Sequence, residues 1–122
     1  MMEIITVHNE NEVTFVECKP PEKLISSEQD AVDLIGLCGY HQTNNLLMYT
    51  NNVDKSFFDL KSTLAGAVLQ KYMNYYMRVA MVMPSDYSEN KRFSEMALET
   101  NKGNHFRLFK TREEAVEWLT HG

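Results

Sequence analysis

The chain has 122 residues, 43% of them apolar, with 12 basic and 17 acidic side chains and a formal net charge of −5. That length suits a single domain, residues 1–122, able to bury a core. The apolar content excludes a disordered chain, and the acidic balance, with no block of Lys and Arg, excludes nucleic acid as the expected ligand. No apolar run approaches the ~20 residues of a membrane span, and the opening "MMEIITVHNENEV" lacks a basic leader segment, so a cytoplasmic protein off the membrane is expected.

In chain order, "EIITVH" (3–8) and "VTFVEC" (13–18) are rich in β-branched residues and flank the polar "NENE", which predicts a β-hairpin. Pro20 and Pro21 end the second strand, because proline has no N–H for a sheet ladder. Ser26 and Ser27 precede a segment in which Ala31, Leu34, Ile35 and Cys38 recur at helical spacing. A serine there accepts an orphan first-turn N–H, and Gly39 marks the expected stop. "LLMYT" (46–50) is continuously apolar, as in a strand covered on both faces.

"FFDLKSTLAGAVLQKY" (57–72) then leads into a second helix with Leu64, Ala65, Val68, Leu69 and Tyr72 on one stripe. "RVAMVM" (78–83) predicts another central strand, stopped by Pro84. A third helix carries Phe93, Met96, Ala97 and Thr100 on one side. "HFRLF" (105–109) alternates around Arg107, as an edge strand does. Thr111 and Glu114 have capping-box spacing for a last helix whose Ala115, Trp118 and Leu119 face inward. The order β-β-α-β-α-β-α-β-α implies an α/β fold: a mixed, mostly parallel five-stranded sheet with four main helices.

Parallel strands gather their carboxyl ends at one edge, where ligands and partners dock on open α/β sheets. Asn51 and Asn52 follow the third strand, Ser85 and Asp86 the fourth, and Asp59 and Lys61 lead into the second helix. These six form the expected partner- or ligand-binding edge, although turn formation alone accounts for polar residues after strands. Ser62 and Thr63 stand out by position. A hydroxyl at a helix entrance can carry a phosphate whose charge the exposed amides stabilise, and Lys61 beside it adds a positive charge.

Other constellations carry less. His8, His41, His105 and His121 show no metal-ligand spacing, and Cys18 and Cys38 stand far apart, so neither a metal nor another cofactor is expected. No nucleotide-binding or nucleophile-elbow fingerprint occurs. Asp54, Asp59 and Asp86 are the only carboxylate grouping considered for acid–base work, and no catalytic residue is assigned. Tyr72, Tyr75 and Tyr76, with Met73 and Met77, are expected to be core and rim.

"FFDLKSTLAGAVLQKYMNYYMRVAMV" and "ALETNKGNHFRLFKTREEAVEWL" resemble a family of small bacterial proteins catalogued as domain of unknown function 4180. The element order is also similar to the anti-sigma-factor antagonist, or STAS, domains. In those domains a hydroxyl residue after the third strand is phosphorylated by a partner kinase, which switches docking. The resemblance matches Ser62 and Thr63 to the serine pair of that motif and Thr63 to the acceptor; Lys61 replaces its aspartate and Leu64 its glycine.

The expected function is therefore a regulatory module that binds a protein partner and is switched at Ser62 or Thr63. The alternative is a small-ligand binder or cryptic enzyme using the same edge. A homodimer through the first hairpin, "HFRLF" or the exposed part of "YMNYYM" stays open.

Overall fold

A computed structural model describes residues 4–20, 22–59, 62–84 and 103–121. The strands are β1 (Ile5–Glu10), β2 (Val13–Cys18), β3 (Asn45–Tyr49), β4 (Arg78–Val82) and β5 (Phe106–Phe109). The described α-helices are α1 (Glu28–Tyr40), α2 (Leu64–Asn74) and α3 (Arg112–His121). The helix expected around Phe93 to Thr100 lies outside the described residues.

One sheet carries the strands in the order β1-β2-β3-β4-β5, β1 antiparallel to β2 and every other pair parallel. The hairpin turn is tighter than the sequence implies. Glu10 pairs with Val13, leaving only Asn11 and Glu12 between the strands, at φ 54° and 66°. Two positive φ values are what a type I′ turn needs to follow the strand twist.

Side chains alternate across the sheet, so each strand feeds two cores. Val16, Cys18, Leu46, Met48, Val79, Met81, Phe106 and Leu108 pack against the inner stripes of α1 and α2, including Ala31, Leu34, Val68 and Tyr72. Phe15, Leu47, Ala80 and Val82 point the other way, onto Ala115, Trp118 and Leu119 of α3. The continuous apolar run of β3 thus belongs to a strand buried on both sides, as its composition implies. β5, with half-buried Arg107, ends the sheet as an edge strand.

Helix ends follow local chemistry. Ser27 Oγ accepts from Asp30 N (3.2 Å), and Asp30 in turn accepts from Ser26 N (2.9 Å). Thr111 Oγ1 accepts from Glu114 N (3.2 Å) and donates to Glu114 Oε1 (3.2 Å), so the expected cap of α3 forms. Gly39 does not stop α1. It is helical, and α1 closes with Gln42 N donating to Gly39 O and Thr43 N to Cys38 O, Gln42 holding φ 60°. That pattern is a Schellman motif with glutamine where glycine is usual.

After β3 the chain makes the 3-10 turns Thr50–Asn52 and Lys55–Phe58. Asn52 is fully buried there. Its Oδ1 accepts from Tyr49 N (2.6 Å), and its Nδ2 donates to Lys19 O and Glu22 O (both 2.8 Å). Its own carbonyl accepts from Leu24 N and Ile25 N. One amide therefore ties the prolyl connection after β2 to the end of β3.

Replacing Asn52 with Ala removes a partner from three part-buried backbone groups, of which Lys19 O keeps the bond from Glu22 N, so Asn52→Ala is expected to lower the unfolding free energy by about 1–3 kcal/mol. Urea denaturation measures this; a change under about 0.5 kcal/mol, within the range of an ordinary surface substitution, would show the amide to be dispensable.

Candidate functional site

Because β2 to β5 run parallel, their carboxyl ends share one edge, followed by residues 50–52, 83–84 and 110–111. α2 begins at that edge and carries the chain back, so Ser62 and Thr63 lie there too. Of the expected edge residues, Asn51 and Asp59 are exposed. Asn52 is not part of an open surface: it is enclosed, with its amide engaged as above. Lys61, Ser85 and Asp86 lie outside the described residues.

Asp54, weighed for acid–base work, caps the second 3-10 turn. It accepts from Ser56 N (3.1 Å), Ser56 Oγ (2.7 Å) and Lys23 Nζ (3.1 Å). Those donors, Ser56 first, hold its carboxyl down at about 2.

The two hydroxyls at the entrance of α2 differ. Both residues are exposed. Ser62 Oγ faces the carbonyls of Ser56 and Asp59 (2.8 Å to the latter) and accepts from Leu64 N (3.3 Å), so it braces the turn. Thr63 is the N-cap residue, yet its hydroxyl caps nothing. Its backbone sits at φ 64°, ψ 0°, the left-handed region that a β-branched residue rarely enters and that costs about 1–2 kcal/mol. An ordinary N-cap threonine is extended and turns its oxygen inward onto the helix. Here the backbone conformation withholds that bond.

A second group at the same edge had no motif to announce it. Glu17 near the end of β2 takes four hydrogen bonds on its two carboxylate oxygens. Tyr49 O–H of β3 donates to Oε2, His8 Nε2 of β1 meets Oε1 at 2.7 Å, and Arg112 of α3 spans both oxygens at 3.0 and 3.1 Å. Burial acts to raise the Glu17 pKa, but Arg112, Tyr49 and His8 together outweigh it and hold the carboxyl at about 2. Burial and the Glu17 charge push the Tyr49 phenol up to about 12. A carboxylate saturated by four donors has little capacity left for an incoming proton or ligand. Its evident work is to clamp the start of α3 to three strands.

Alternation did hold a signal for this group. Glu17 shares a face with Phe15, and Tyr49 with Leu47, so an acid and a phenol both project onto the core under α3.

A depression of about 310 Å³ opens beside this edge, lined by Lys23, Thr50, Asn51, Val53, Lys55 and Phe58. Among the described residues no three His, Cys, Asp or Glu side chains come together as a metal site would require. Cys18 and Cys38 are both buried free thiols. Burial raises both pKa values, that of Cys38 to about 12, so neither is a poised nucleophile. No described helix is long and apolar enough to cross a membrane.

Fold and edge together define a small α/β domain with a mixed five-stranded sheet, its polar turns collected at the carboxyl ends of the strands. The chain belongs to the family described as Domain of unknown function (DUF4180), whose model matches residues 10–119. No curated protein and no solved structure matches it.

The Glu17 clamp sets an acid limit on stability. A folded-state pKa of about 2 against an ordinary 4.5 means that the ionised form stabilises the fold; this contribution is complete above about pH 4.5 and disappears as pH falls toward 2. Glu17→Gln is expected to cost about 2–3 kcal/mol at pH 7. It should also make the pH 4.5-to-2 decline shallower, not flat, because Asp54 titrates in the same window. Thermal midpoints from pH 2 to 7 read both effects; parallel curves for the two proteins would remove the clamp from the account.

Proposed function

We propose that the chain is a cytoplasmic regulatory module with a STAS-like architecture, that a protein partner docks on its carboxyl edge, and that phosphorylation at Thr63 switches this docking. The observation that carries the proposal is Thr63 itself. It is exposed at the N-cap of an 11-residue helix and its hydroxyl makes no cap hydrogen bond, while its neighbour Ser62 is held by two carbonyls. A phosphate there adds about −1.5 to −2 charge where the first-turn amides of α2 accept it most readily. Its exposure, with no cap bond to break, leaves the hydroxyl accessible to a modifying enzyme. The form of the edge agrees, since the depression beside it opens to solvent and is not a closed pocket.

A second reading is favoured by that depression. Lys23 and Lys55 flank it with Phe58 as an apolar wall, an arrangement suited to a small anionic ligand with a flat apolar part. A thermal-shift screen with nucleotides and acidic metabolites separates the two, because a ligand at ~100 times its Kd stabilises by about 2.7 kcal/mol.

For the leading proposal, intact-mass analysis of protein from its native host is expected to find one added phosphate, removed in Thr63→Ala. Partner capture should differ between Thr63→Glu and the unmodified chain. Unmodified protein together with the same partners on wild type, Thr63→Ala and Thr63→Glu ends the proposal.

A further inference from the structure

The opposite, amino edge of the sheet holds the larger depression, about 550 Å³ and open to solvent. It lies between the β1–β2 turn and the turn from α1 into β3, and Glu12, Thr14, Gln42, Thr43, Asn44 and Asn45 line it. Glu12 is the one charged residue among those lining it. Thr14, Gln42, Thr43, Asn44 and Asn45 present amides and hydroxyls, and Val13 and Gly39 complete the lining.

Three independent features meet at this edge. The first is backbone strain in an unusual place. Of the five described non-glycine residues with positive φ, four lie here: Asn11, Glu12, Gln42 and Tyr76. α2 ends as α1 does, with Tyr76 N donating to Met73 O and Met77 N to Tyr72 O, again a Schellman motif without its glycine. Glycine occupies such positions without strain. This chain keeps Gly36, Gly39 and Gly66 inside helices and places Glu12, Gln42 and Tyr76 where glycine is the default. Large side chains at positions carrying that cost point to a role for the side chains themselves.

The second feature is an unmet hydrogen-bond acceptor. Asn45 Nδ2 donates to Thr14 O (3.2 Å), but Asn45 Oδ1 is buried with no partner among the described residues. Such an atom calls for a donor.

The third is exposed aromatic surface. Tyr76 is 76% exposed, and its carbonyl accepts from Asn44 Nδ2 (2.8 Å), which places its backbone next to the lining. Tyr40, 81% exposed, directly follows Gly39 at the end of α1.

We propose that this amino edge is a binding site for a neutral, hydroxyl-rich small molecule of the saccharide class, held by Glu12, Gln42, Asn44 and Asn45 and stacked on Tyr76. Hydroxyl groups both donate and accept, so they match a lining of carboxylate and amide groups in either direction. An anion is disfavoured by Glu12 and by the net charge of −5. A sugar ring also offers an apolar face to an exposed tyrosine, supplying contact that does not compete with water. Because the depression is open and polar, binding is weak, in the millimolar range. The site is separate from the carboxyl edge, and neither depends on the other.

The test is a two-dimensional amide NMR titration of the full chain with neutral mono- and disaccharides, with inorganic phosphate as the contrasting probe. At least one neutral sugar is expected to give saturable shifts at Glu12, Thr14 and residues 42–45 and at the Asn45 side-chain amide, leaving Ser62 to Ala65 unmoved. Gln42→Gly and Tyr76→Gly should each raise the thermal midpoint, because they relieve positive φ, and yet weaken sugar binding at least tenfold. The raised midpoint guards against loss of binding through misfolding. No saturable shift with any sugar, equal shifts with phosphate, or undiminished binding by both glycine variants would overturn the proposal.

Discussion

The central strands β3 and β4 have no solvent face, so the sheet must be covered twice. The crossover helices α1 and α2 cover one side as a direct consequence of connecting parallel strands. Among the described residues the other side is covered by α3, with an apolar stripe of Ala115, Trp118 and Leu119. Polar anchors at both ends of α3 supplement it. Arg112 grips Glu17 at the start. Arg78 donates to Trp118 O (3.0 Å) and Leu119 O (3.4 Å) near the finish, satisfying carbonyls that a helix end leaves open. The same guanidinium lies 4.3 Å from the Trp118 ring centre, with that of Arg107 at 5.2 Å. A short helix is thereby held over its core by polar anchors as well as by apolar contact.

This arrangement sorts the polar residues of the chain into two kinds. Glu17, Asn52, Asp54 and Thr111 are polar because the fold needs their hydrogen bonds: a clamp, a tie between connections and two caps. Thr63, Gln42 and Tyr76 do the reverse, holding positive φ while leaving their side chains exposed. The first kind stabilises and the second costs stability, which is why the functional proposals rest on the second. α2 joins the two edges, with Thr63 before its first residue and Tyr76 two past its last, about 20 Å apart by helical rise.

Much of the fold was legible in local pattern. The inward residues of α1, the stripe of α2, the cap at Thr111 and the two-sided burial of β3 all follow from spacing and residue type. The entrance of α2 at Ser62 and Thr63 was legible as well, but the unequal state of the two hydroxyls was not. Spacing carries no information about which oxygen finds a carbonyl two turns of chain away. The stop of α1 was placed at Gly39 because glycine ordinarily ends helices, whereas the left-handed residue is Gln42.

Among the described residues, sequence alone therefore located the strands and α-helices and their apolar faces, because those properties depend on neighbours within a few residues. Tertiary structure alone decided that Glu17, Tyr49, His8 and Arg112 meet, since their union requires strand register and the docking of a helix 95 residues further on. It also decided that Asn52 faces inward while Asn51 faces out, and that Glu12, Gln42 and Tyr76 share an edge. Contacts between distant segments are set by how the layers pack, and no local pattern encodes that packing.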